Sequence, residues 1–265
     1  MHKVVGYLTL VFVLLIFPGI STVNAHGLRE LVPRLIESGL ELEYVSEIFN
    51  NQNLLMPGSP TTLECKKIRQ EVLEDVNAFR QKTLERGAEY YNVHKTLFDG
   101  AEQRYGVPAE YILAIIRTET YFGICLGDHY VLQTLYNIYS QTDDPRKRSF
   151  AGRQIATLLR VAVRDGWNTN RLFSLPGSHM GAFGLCHFIP TSYELAVDGD
   201  GDNVIDLLNP ADAIFSIANY LVRRGWKTIS PDHALFDYNP DREYVERVTK
   251  FAEIIRDKIK PRRSP

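Results

Sequence analysis

The chain has 265 residues, 45% of them hydrophobic and 23% charged, with no low-complexity tract, a composition that fits one large globular domain or two small ones. Lys and Arg number 30 against 32 Asp and Glu, a net charge of -2, which argues against nucleic acid or an anionic membrane surface as the partner. Cys65, Cys125 and Cys186 contain no CxxC pair and allow at most one bridge, which excludes a disulfide framework.

Lys3 precedes an apolar run from Val4 to Phe17, mildly broken by Gly6 and Thr9 and ended by Pro18-Gly19. The run reads as a signal-peptide core, and Val23-Asn24-Ala25 offers small residues for cleavage, with a mature start near His26. It is short for the ~30 Å hydrocarbon core of a bilayer, so an uncleaved anchor is the lesser alternative. The expectation is a periplasmic protein that loses residues 1–25 and has no membrane association afterwards.

From Leu28 to Tyr90, Leu31, Leu35 and Ile36, then Ile68, Val72, Val76 and Phe79, recur at three- and four-residue spacing, which predicts helix. A loop over 50–62, rich in Asn, Pro, Gly and Ser, divides that stretch. Strand-like alternation is scarce, so the fold is expected to be mainly α. In EQRYGVPAEYILAIIRTETYFG, residues 102–123, Gly106 ends one helix and Pro108 opens the next as its first residue.

On that next helix Ile112, Ile115, Ile116 and Glu119 share a face. A carboxylate there costs several kcal/mol if it stays charged and unpaired, so it finds a partner or takes up a proton more readily. A proton held near neutral pH is what a general acid needs to release a sugar oxygen. The bland alternative is a helix-end ion pair, with Arg117 or another arginine. Further on, GAFGLCHFIPTSY (residues 181–193) has Gly181 and Gly184, where backbone can approach a ligand closely, and Pro190 opening another helix. Tyr238-Asn239-Pro240 precedes a helix from about Arg242.

Asp198, Asp200 and Asp202 alternate with Gly199 and Gly201, the first half of an EF-hand-like loop, and three carboxylates so close call for a hard cation such as Ca2+. Asn203 and Asn209 stand where that loop normally has glycine and glutamate. A structural ion is expected rather than a sensor.

YGVPAEYILAIIRTETYFG, GAFGLCHFIPTSY, DGDGDNVIDLLNPADAI and the late Tyr-Asn pair, in this order, resemble the lytic transglycosylases of the membrane-bound transglycosylase B type, over roughly Val93 to Ile255. The resemblance implies a goose-type, lysozyme-like helical catalytic domain over 93–265, after a small helical N-terminal region over 26–92. It implies cleavage of the β-1,4 bond between N-acetylmuramic acid and N-acetylglucosamine in peptidoglycan glycan strands, with Glu119 as sole acid/base. Ser178, Phe188, Tyr238, Asn239 and Tyr244 would line the groove, Arg146 and Lys147 would meet substrate farther along, and Val204 and Asp212 would complete the calcium ligands. A monomer is expected.

His187 stands where the family carries glutamine, so it enters the substrate-binding set with an altered hydrogen-bonding repertoire. The competing readings are a peptidoglycan-binding protein that has lost turnover, a hydrolase of the lysozyme kind, and a calcium sensor. A cysteine enzyme is weaker still, because Cys186 lies in an apolar stretch where packing is the default.

Overall fold

A computed structural model describes residues 22–55, 58–74 and 76–260; the side chains of 22–27 and 73–79 fall outside the description. The signal-peptide run from Val4 to Phe17 lies outside it as well, as do the side chains of Val76 and Phe79. In chain order the helices are α1 (Thr22–Glu37), α2 (Leu42–Asn50), α3 (Leu63–Glu74), α4 (Val76–Val93), α5 (Lys95–Tyr105) and α6 (Ala109–Thr120). A two-residue strand β1 (His129–Tyr130) follows, then α7 (Val131–Gln141), α8 (Pro145–Arg164), α9 (Thr169–Ser174) and β2 (Pro176–Gly177). The chain ends with α10 (Pro210–Arg223), α11 (Pro231–Tyr238) and α12 (Arg242–Ile259). The architecture is mainly helical, as expected.

The chain forms two compact, interleaved units. Among the described residues, the first comprises those of 22–60, 128–182 and 189–191, and the second those of 61–127, 183–188 and 192–260. This division follows compactness, whereas the boundary expected after residue 92 concerns sequence organisation.

In the first unit α7 packs along α8, with α1 against both, and β1 pairs antiparallel with β2, His129 opposite Gly177. Leu31 and Leu35 are fully buried, but Ile36 is exposed. The three- and four-residue spacing therefore selected the face correctly and overextended it by one position. The predicted loop falls between the end of α2 at Asn50 and the start of α3 at Leu63, with a short 3-10 turn at Gln52–Leu54.

In the second unit α6 packs on α12, α5, α10 and α4. Ile112, Ile115 and Ile116 have no exposed surface, which fixes the face that α6 turns inward. Pro108 is the residue before α6, with φ -58 and ψ 137, one position earlier than predicted. The Glu102 carboxylate accepts from the Ala109 N–H at 3.1 Å, satisfying one donor of the new helix. Asn209 before α10 and Asp241 before α12 accept from Ala211 and Glu243 N–H at 2.9 and 3.0 Å, conventional N-caps that fix where those helices start. Pro190 opens a 3-10 helix, Pro190–Leu195, rather than an α-helix.

Candidate active site

Glu119 lies in the last turn of α6, its side chain 13% exposed. The helix then stops abruptly, because Tyr121 (φ 48), Phe122 (φ 62) and Gly123 (φ 85) are all left-handed. For the two non-glycine residues this costs roughly 1–2 kcal/mol each, so surrounding groups must hold the turn. Tyr121 Oη lies 3.1 Å from Thr83 Oγ1 on α4, and the Phe122 ring meets Tyr90 and Phe251. Thr120 Oγ1 accepts from the Gly123 N–H at 3.1 Å and lies 3.2 Å from the carbonyls of Ile116 and Leu185. A disulfide joins Cys125 to Cys65 on α3. It is the one bridge the cysteine count allowed, with a pairing that spacing could not choose.

The segment 183–188 closes on itself, Phe183 and Phe188 exchanging backbone hydrogen bonds at 2.9 and 3.0 Å. Gly184 has φ +77, and a Cβ there would come within 2.4 Å of Leu207 Cβ; glycine is required on both counts. His187 is left-handed at φ 46. Its Nδ1 lies 3.3 Å from Glu119 Oε2 and its Nε2 lies 3.2 Å from the Leu126 carbonyl oxygen. Tyr244, buried near the start of α12, donates from Oη to Glu119 Oε1 at 2.7 Å. The partners of Glu119 are thus a tyrosine and a histidine. Arg117, the alternative considered above, instead lies over the Phe251 ring.

Aromatic rings surround this group. Tyr238 and Tyr244 stack at 6.2 Å with planes 9° apart, and Phe188 and Tyr220 pack on Tyr238 at 5.8 and 4.9 Å. Tyr238 Oη donates to the Cys186 carbonyl at 2.5 Å. Burial, and then the nearby Cys186 thiol for Tyr238 and the Glu119 carboxylate for Tyr244, hold both phenols well above their ordinary range, so they remain donors at any working pH. The Cys186 thiol is fully buried, and desolvation pushes its pKa up; this is packing chemistry rather than that of a nucleophile.

Of the remaining predicted residues, Asn239 sits at the end of α11, half-buried. Ser178, Arg146 and Lys147 belong to the first unit. Ser178 Oγ accepts from the Met180 and Ala182 N–H groups at 3.2 and 3.1 Å, which shapes its own turn. Arg146 and Lys147 are exposed in the first turn of α8, behind the Asp144 cap. Sequence reasoning missed three contributors: Tyr220, Thr120 and the Leu126 carbonyl. The aromatic at 220 gave no signal on an otherwise ordinary amphipathic helix, and a carbonyl carries none.

In the acidic loop, carboxylate oxygens of Asp198, Asp200 and Asp212 lie within 4.8 Å of one another. Asp212, 1% exposed, accepts from Gly199 and Asp206 N–H at 2.8 and 2.6 Å. Burial, then the Asp200 and Asp198 charges, push its pKa up. Asp198 accepts from Gly201 and Asn203 N–H at 2.6 and 2.8 Å. Asp202 stands outside the trio and accepts from the Val204 N–H at 2.7 Å, while the Val204 side chain is exposed. Three hard oxygen donors, one of them the buried and charge-crowded Asp212, fit a hard divalent cation.

A helical protein with one carboxylate gripped at the edge of an aromatic cluster is the class that fold and site define. A family model described as "Transglycosylase SLT domain" matches residues 24–260, and the chain belongs to that enzyme family. It is 30% identical over 210 residues to the membrane-bound lytic murein transglycosylase B of Escherichia coli strain K12, a match covering 77% of this chain and 55% of the relative. The chain thus spans about half the length of that protein. Two solved structures share the fold. The soluble lytic transglycosylase SltB1 of Pseudomonas aeruginosa matches with TM-score 0.68 and 24% identity over 86% of this chain and 97% of that one. The Escherichia coli lytic transglycosylase Slt35 in complex with calcium matches with TM-score 0.70 and 19% identity over 88% and 93%.

Proposed function

We propose that the chain is a lytic transglycosylase that cleaves the bond between N-acetylmuramic acid and N-acetylglucosamine in peptidoglycan, forming 1,6-anhydromuramyl ends, with Glu119 as its single acid/base. The observation that carries this reading is the grip on Glu119, one oxygen taken by Tyr244 and the other facing His187, within a family whose relatives bear that activity in their names.

In this mechanism Glu119 gives its proton to the glycosidic oxygen as the bond from that oxygen to C1 of the muramyl sugar breaks. The oxocarbenium-like centre is stabilised by surrounding dipoles and the sugar's own acetamido group. The Glu119 carboxylate then takes the proton of the C6 hydroxyl while O6 bonds to C1. No water is consumed, and Glu119 ends protonated as it began. The attack is intramolecular, so a second positioned carboxylate is dispensable. Tyr244 steadies the carboxylate through both steps.

Within the second unit, Phe188, Tyr238 and Asn239 are assigned to the glycan groove of a goose-type lysozyme-like domain over 93–265; within the first, Ser178, Arg146 and Lys147 are assigned to contacts with the glycan strand. Asp198, Asp200 and Asp212, with Asp202 and the Val204 carbonyl in support, are assigned to a structural Ca2+; the calcium complex of a fold relative supports this. Calcium would neutralise the trio and hold the loop ahead of α10, with no part in the bond-breaking steps. The disulfide suits an oxidising compartment and supports export to the periplasm; the protein is assigned as a monomer.

The test is to incubate the protein and a Glu119→Gln variant with purified peptidoglycan and weigh the released fragments. Anhydro fragments from the wild type and none from the variant are expected. Reducing ends would make the chain a hydrolase, and binding to the wall without any release would make it a binding protein.

A further inference from the structure

The Leu126 carbonyl can only accept, so its 3.2 Å contact with His187 Nε2 requires the ring hydrogen to sit on Nε2. A neutral imidazole held in this way turns the bare lone pair of Nδ1 toward Glu119 Oε2, 3.3 Å away. The two side chains are only 14% and 13% exposed, so little water screens a lone pair set against a carboxylate. A proton between Nδ1 and Oε2 removes the conflict. It can be drawn as a carboxylic acid donating to imidazole or an imidazolium donating to carboxylate, two descriptions of one state with no net charge. Tyr244 already occupies Oε1, which leaves Oε2 as the oxygen that shares it.

We propose that Glu119 and His187 hold one proton in common, that the Leu126 carbonyl sets the ring for this, and that the shared proton is the one delivered to the departing sugar oxygen. This deepens the transglycosylase reading and rests on it for the delivery step. His187 is thereby a positioning residue and proton partner, a role that glutamine, the resembling family's residue at this place, cannot fill. The other titratable groups facing the pair are committed elsewhere. Tyr244 on α12 donates to Oε1, Tyr238 on α11 donates to the Cys186 carbonyl, Tyr220 on α10 donates to the Asp237 carbonyl, and the Cys186 thiol is buried and protonated. Arg247, three residues beyond Tyr244, pairs with Asp241 and Glu243, so among the described residues none of these groups supplies a charge to settle the contact. The working consequence is that removing the imidazole changes how the rate depends on pH.

The experiment uses the full chain carrying 15N in its histidine rings, the His187 signals being assigned as those missing from a His187→Gln variant. Long-range proton–nitrogen spectra at pH 7 are expected to show Nε2 protonated and Nδ1 either hydrogen-bonded or protonated. In Glu119→Gln, whose amide can donate to Nδ1, the neutral Nε2-protonated ring is expected to persist. A neutral wild-type ring carrying its hydrogen on Nδ1 overturns the proposal. Because the spectrum reads the ring and not turnover, a chain that releases no glycan fragments refutes the transglycosylase reading while the shared proton is still judged. Where fragments are released, the rate of His187→Gln relative to the wild type is expected to be about tenfold lower at pH 8 than at pH 5. Superimposed pH profiles overturn the proposal.

Discussion

Tyr244 Oη donates to Glu119 Oε1 at 2.7 Å although the two residues stand 125 positions apart in the chain. The bond joins the last turn of α6 to the first turn of α12, so the packing of those two helices sets where the carboxylate points. Tyr244→Phe removes the donor to Oε1 and leaves Oε2 facing His187. Fragment release is expected to fall roughly ten- to a hundredfold, with urea stability changed by less than about 1.5 kcal/mol. An unchanged rate would show that Tyr244 does not steady the acid.

Glu110 lies on α6, only 5% of its side chain exposed, with Arg256 Nε at 2.7 Å and Lys260 Nζ at 3.2 Å. Burial pushes its pKa up, but its own backbone N–H, Arg256 and Lys260 outweigh that and hold it below the ordinary 4.5. A carboxylate depressed in the folded state stabilises the protein above the unfolded value and loses that contribution as pH falls through the folded one. Glu110→Gln is therefore expected to lower stability by about 1–3 kcal/mol at pH 7, the partly exposed cations keeping the figure modest. In urea titrations at stepped pH, the gap between wild type and variant should close below about pH 4; a gap constant to pH 3 would contradict this account.

Reduction of the Cys65–Cys125 bond frees a closed loop with a sequence separation of 60. Chain-entropy arguments put the loss near 4 kcal/mol as an upper figure. A Cys65→Ser, Cys125→Ser variant should therefore unfold at lower urea than the wild type. It should also lose fragment release more steeply than stability alone explains, because Cys125 lies two residues beyond the left-handed turn Tyr121–Gly123 that follows Glu119. Loss of stability without an added loss of rate would separate the bridge from the site.

Calcium is expected to raise the Tm by several degrees when present at about a hundred times its dissociation constant, equivalent to about 2.7 kcal/mol. Asp212→Asn should abolish that rise, since Asp212 is the buried member of the trio. The readout is thermal unfolding in calcium against chelator, and an equal rise in both proteins would place the ion elsewhere.

The helical class was legible because Leu31, Leu35, Ile112, Ile115 and Ile116 repeat with the helical period and all five are fully buried. The anomalous position of Glu119 was legible for the same reason, since a carboxylate continuing an apolar stripe is visible in one dimension. Its actual partners were not. Tyr244 and His187 reach it through tertiary contacts that no local spacing encodes, and the Leu126 carbonyl is invisible in any sequence. Three aspartates at alternating positions suggested one ion site, yet only two of them join Asp212 in the trio. Asp202 turned instead to cap Val204, a competition between loop backbone and ligand that residue types alone do not decide.

Tyr121 and Phe122 are wound left-handed immediately after the helix that ends beyond Glu119. Nothing local favours that shape; it persists because Thr83, Tyr90 and Phe251 grip the two rings from other helices. A peptide excised around Glu119 would relax into the right-handed basin and swing the carboxylate away. On the proposed mechanism, substitutions at those distant packing positions are expected to shift the Glu119 carboxylate, and the rate of fragment release with it.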